Sequence, residues 1–180
     1  MKDIGRIKKH LDKSHLEQLV HAVITRLDYC NSLLVNMSKE NLFKYQKVQN
    51  GAARLVLGRK RRDSARSALN ELHWLCIDAR ITFKILLVVY KVVRGICSEN
   101  INIAYKSFNG RPGDCLMLET PVFKSKYGQR IFEYNGSRLW NALPVEMRME
   151  ENIEHYKKSL KTLLFNGNEE LKRRAFKYQK

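Results

Sequence analysis

The chain has 180 residues, with 34 Lys and Arg against 18 Asp and Glu, a net charge of +16, and 44% hydrophobic residues. That apolar content excludes generic disorder, and three Pro and nine Gly exclude a collagen-like or linker-like chain. The length suits one domain or two small ones, and the charge calls for an acidic partner, nucleic acid first and anionic membrane second, or else serves solubility alone.

Ile4, Ile7 and Leu11 predict a short first helix. Ser14 with Glu17 forms a capping box, and Leu16, Leu19, Val20, Val23, Leu27, Cys30 and Leu34 predict a helix over 14–35. After a break at Asn36–Ser38, Ser38 caps a second helix whose apolar face is Leu42, Tyr45, Val48, Ala52, Leu55 and Val56. Gly58 is its C-terminal cap, and Arg59, Lys60, Arg61 and Arg62 follow at once. Asp63 or Ser64 caps a short third helix carrying Ala68, Leu69 and Leu72, with Trp74 and Leu75 at its exit. Asp78 caps a fourth helix, Ala79 to about Arg94, ended by Gly95. It is apolar nearly all round except for one basic stripe of Arg80, Lys84, Lys91 and Arg94.

From Ser98 the composition turns to Asn, Gly and Pro, which marks a domain boundary. Cys115–Thr120 and Val122–Phe123 are short strand candidates. Gly136 interrupts Ile131–Leu143, and Pro144 stops that stretch. A last helix runs from about Asn152 to Phe165, before a basic tail over 166–180. The expected fold is therefore mainly α. A helical domain spans 1–97, and a smaller irregular domain with short strands and a C-terminal helix spans 98–165.

Met1 to His15 is charged throughout and carries no signal-peptide pattern, and none of Cys30, Cys76, Cys97 and Cys115 forms a C-x-x-C pair. The expected setting is intracellular, nucleus or cytoplasm. The longest apolar stretch, Ile85–Tyr90, is far short of the ~20 residues that cross a bilayer, so no membrane partner is expected.

No P-loop, G-x-G-x-x-G, G-x-S-x-G or adjacent Asp pair occurs, so neither catalysis nor a cofactor is expected. His10, His15, His21, His73 and His155 lack metal-ligand spacing, and Cys30 sits on an apolar stripe. The basic clusters carry the one functional signal, and Arg59–Arg62 with the Arg80–Lys84–Lys91–Arg94 stripe are the expected phosphate contacts. Arg59–Arg62 reads as a phosphate clamp, an import signal or a solvated loop. Lys124, Lys126, Arg130 and Arg138 interleave with Phe123, Tyr127, Phe132 and Trp140. That pattern suits base stacking with charge on the backbone, or a plain core.

Five strings stand in a recognisable order: HAVITRLDYCNSLL from His21, KVQNGAARLVLG from Lys47, ELHWLCIDARITFKILLVVYK from Glu71, YGQRIFEYNGSRLWNALP from Tyr127 and YKKSLKTLLF from Tyr156. Together they resemble the C-terminal region of non-LTR (LINE) retrotransposon reverse transcriptases of the Jockey-like group, over about Ile4 to Phe165. The resemblance implies a piece lying after the catalytic palm: the end of a helical thumb plus a post-thumb domain. It implies RNA or DNA as partner; the missing palm or a second copy is the partner expected if the chain is instead a protein-interaction module. Three departures stand out: one residue fewer between Thr25 and Arg26, Cys76 where the family has Pro, and Gly136–Ser137 before Arg138. A helical protein-interaction module and an inert relic are the competing readings.

Overall fold

The computed structural model describes residues 6, 10–25, 38–97, 103–106, 116–125 and 128–175. They are mainly helical, as expected, and the chain forms two compact units, Met1–Arg80 and Ile81–Lys180. The first unit holds α1 (Lys13–Thr25), α2 (Lys39–Val56) and α3 (Ala65–Glu71). The stretch predicted to prolong α1 to Val35, the short helix predicted around Ile4 and Ile7, and the departure after Thr25 lie outside the described residues.

The cap of α1 is Asp12 rather than Ser14. Its carboxylate accepts the His15 backbone N–H at 2.7 Å and meets His15 Nδ1 at 2.8 Å. An anion at the positive end of a helix gains more than a hydroxyl there. The His15 backbone bond is the main reason the Asp12 carboxyl is held below its ordinary range. Ser38 caps α2, and Ser64 rather than Asp63 caps α3. Gly58 leaves α2 at φ +67°, where a side chain would be strained, and Arg59 N–H closes back on Arg54 C=O at 2.8 Å.

Leu16 and Val20 of α1 pack with Ala52 and Val56 of α2, and Ala53 packs with Ala68 and Leu69 of α3. Leu72 and Trp74 touch both clusters. The predicted α2 face is rotated by one position at its middle: Val48 is exposed and Gln49 is fully buried. Gln49 donates to Leu75 C=O at 2.8 Å, and Gln46 accepts from Ile77 N–H at 2.9 Å while donating to Gln49 and Asn50. A buried amide with all these bonds made costs little, and it pins the segment after α3 to α2.

α4 (Ile77–Val93) starts with Cys76 C=O accepting Arg80 N–H, so Asp78 lies in its first turn and is not its cap. Gly95, at φ +66°, ends it. Composition suggests a division at 97/98, yet the contacts divide at 80/81. The reason is that Leu86, Val89 and Tyr90 are buried with the elements that follow.

Those elements are α5 (Phe132–Asn141), α6 (Val145–Met149) and α7 (Ile153–Ala175). Tyr156 of α7 stacks on Tyr90 with ring centroids 4.2 Å apart, and burial pushes its phenol upward. Gly136 does not break α5. A Cβ there would meet Val89 Cγ2 at 2.9 Å, so its bare Cα is what the close approach to α4 requires. The predicted short strands reduce, among the described residues, to one antiparallel bridge between Tyr105 and Leu118. Side chains hold the rest of that segment: Trp140 Nε1 donates to Leu116 C=O at 2.7 Å, and Asn141 bonds both the N–H and the C=O of Leu118. These bonds sustain Leu116 at φ +52°. α7, capped by Asn152, continues past Phe165 through a kink at Gly167, and buried Leu171 draws in residues expected to be tail.

Two stability measurements follow. In a double-mutant cycle, Gly136→Ala and Val89→Ala should couple by at least ~0.5 kcal/mol, the smaller valine site relieving the added methyl. Independent effects would show that the approach is not tight. Asn141→Ala should cost about 1–3 kcal/mol in urea unfolding, because it strands both polar groups of a buried residue.

Candidate nucleic-acid interface

The basic residues divide by what holds them. At the end of α2, Arg54 Nε donates to Asp63 C=O at 2.9 Å, and the Asp63 carboxylate accepts Lys60 N–H at 2.7 Å. Asp63 N–H closes the turn on Lys60 C=O at 3.1 Å. Arg59 pairs with Glu71 across this turn and also reaches Ser64 C=O. Arg59, one of the predicted contacts, is therefore a brace. Lys60, Arg61 and Arg62 are exposed, with no ion-pair partner among the described residues. Arg66, in the first turn of α3 and absent from the candidates drawn from sequence, is exposed too. Its spacing of four from Arg62 was the available signal.

The stripe on α4 is uneven. Lys84 is exposed, and Arg80 and Lys91 are half-buried. Arg94 works inside the fold. Its guanidinium donates to Arg148 C=O at 3.1 Å and Glu150 C=O at 2.8 Å, and lies 5.6 Å from the Tyr90 ring centroid. It ties the end of α6 to α4, which corrects its reading as a phosphate contact.

In the third set, Lys124 is exposed. Arg138 donates to Tyr134 Oη and lies over that ring at 5.2 Å, while Tyr134 meets Phe123 edge-on. Lys126 and Tyr127 lie outside the described residues, as does the Arg130 side chain. Trp140 is fully buried and its N–H is bonded, so it has no free face for a base. Trp140 is thus core, while Phe123 and Phe132 are half-buried. On α7 some of the charge is paired. Glu154 pairs with Lys157, and Glu170 with Arg174 and Arg173, which holds both carboxyls below their ordinary range. Glu150 is lowered first by Asn152 N–H and then by its contact with His155.

Cys76 and Cys97 are free thiols, and Cys30 and Cys115 lie outside the described residues. Among the described residues no group of His, Cys, Asp and Glu is placed to hold a metal, and no helix is long and apolar enough to cross a membrane. No protein-family model, curated protein or solved structure matches the chain.

The cations therefore sort into exposed and structural, and thermal melts read the difference. Lys60→Ala, Arg61→Ala and Arg62→Ala should each change stability by less than about 0.5 kcal/mol. Arg94→Ala should cost about 1–3 kcal/mol through two lost carbonyl bonds. Equal costs would refute the division.

Proposed function

We propose that this chain binds the sugar–phosphate backbone of an RNA or DNA duplex. In this reading it is the thumb and C-terminal piece of a Jockey-like non-LTR retrotransposon reverse transcriptase, without polymerase activity of its own. One observation carries the reading: three adjacent exposed cations on a turn whose backbone is fixed by Arg54, Asp63 and the Arg59–Glu71 pair. The fixed backbone spares the ordering of the main chain on meeting a phosphate chain, and a net charge of +16 steers a polyanion toward these cations. Such contacts position and hold; they read no sequence. Lys84 and Lys124 add exposed charge in the second unit.

A protein-interaction reading is favoured by a different surface. Val122 is 93% exposed, and Ile131 is exposed too. They adjoin a mostly apolar groove of about 460 Å³ walled by Ile103, Pro121 and Phe123.

Salt titration separates the two. Duplex affinity should fall linearly on a log–log plot, by about 0.9 per phosphate neutralised. The combined Lys60→Ala, Arg61→Ala, Arg62→Ala variant should lower that slope by ~2.7. Salt-independent binding, or none at low salt, would contradict the nucleic-acid reading.

A further inference from the structure

Arg61-Arg62-Asp63-Ser64 is the one place in the chain where two arginines stand three and two residues ahead of a serine or threonine. Ser64 is exposed, with extended backbone at φ −60° and ψ 118°, and its Oγ accepts Ser67 N–H at 3.3 Å. Arg61 and Arg62 are exposed, with no ion-pair partner among the described residues. The one acidic side chain inside the motif, Asp63, is turned back onto Lys60 N–H. Kinases choose substrates largely by charge pattern, and an acidic substrate groove would meet two unopposed guanidinium groups here.

We infer that Ser64 is a phosphorylation site for a basic-directed serine kinase, and that its phosphate weakens nucleic-acid binding at the same turn. The second half rests on the reading of the turn as a backbone-binding site. In the transfer, Ser64 Oγ attacks the γ-phosphorus of a nucleoside triphosphate held by the kinase. The bond to the bridging oxygen breaks, the diphosphate leaves with its electron pair, and the hydroxyl proton passes to the kinase's base. The product carries about −1.5 to −2 charges among Lys60, Arg61, Arg62 and Arg66, and cancels up to about half of their charge. Loss of about two phosphate contacts predicts roughly 10- to 100-fold weaker duplex binding at 0.1 M salt.

The test incubates the full chain with ATP and the catalytic subunit of the cAMP-dependent protein kinase. The modified residue is mapped by mass spectrometry, and affinity for a 20-base-pair RNA–DNA hybrid is read by fluorescence anisotropy. Ser64→Asn serves as the blank, because Asn keeps a helix cap but has no hydroxyl. The expected result has four parts: one phosphate on Ser64, none in Ser64→Asn, at least tenfold slower transfer in the Arg61→Ala, Arg62→Ala variant, and the stated loss of affinity with no fall in the melting temperature. A phosphate on another residue, an unmodified Ser64, or a modified Ser64 with unchanged affinity would overturn the inference. If the unmodified chain binds no hybrid, the nucleic-acid reading falls and takes the regulatory half with it. The mapped phosphate and its dependence on Arg61 and Arg62 then decide the modification by themselves.

Discussion

Gln49 has no exposed surface, and its amide is bonded to Leu75 C=O. A carboxamide in that position is tolerable only if the chain after α3 returns to α2, because an unbonded buried amide costs on the order of 1–3 kcal/mol. Gln46 makes the return two-sided by accepting Ile77 N–H. The glutamines thus hold the chain beyond α3 against α2, and the turn between α2 and α3 is held by its own bonds, from Gly58, Arg54, Asp63 and Arg59. What is attributed to the basic turn follows from the bonds within it. The cations stand on backbone that is fixed before any ligand arrives.

The same logic explains how the charge is used. Arginine reaches carbonyls that lysine's fewer donors serve less well. Arg54, Arg59 and Arg94 all spend guanidinium bonds inside the fold. Subtracting them, and the ion-paired cations of α7, leaves the exposed set dominated in the first unit by Lys60, Arg61, Arg62 and Arg66. A net charge counts all cations alike; geometry does not.

Most local signals were readable from sequence and distant ones were not, although Asp12 takes the place of Ser14 as the cap of α1 and Asp78 lies inside α4. The caps at Ser38, Gly58 and Gly95, and the start of α7 near Asn152, are set by a few neighbouring residues, so pattern alone finds them. Gln49 looks like a solvent-facing residue because its partner lies 26 positions away. Gly136 looks like a helix breaker because the residue that requires it, Val89, belongs to another helix. Trp140 beside arginines looks like a stacking platform until Leu116 C=O is seen to hold its N–H. Arg94 shares a stripe with Lys84, yet the carbonyls of Arg148 and Glu150 claim it. Of the candidate interface, the run Arg59–Arg62 was legible. The split between one brace and three exposed cations was not, since Glu71 sits 12 residues on.

The central claim is that the fixed turn after α2 is where a polyanion meets this chain. Amide chemical-shift mapping during titration with a short RNA–DNA hybrid tests it most directly. The account predicts that the largest shifts fall on residues 59–66, while the amides of 134–141 stay in place. Shifts centred on Phe123 and Ile131, or none anywhere at low salt, would contradict it.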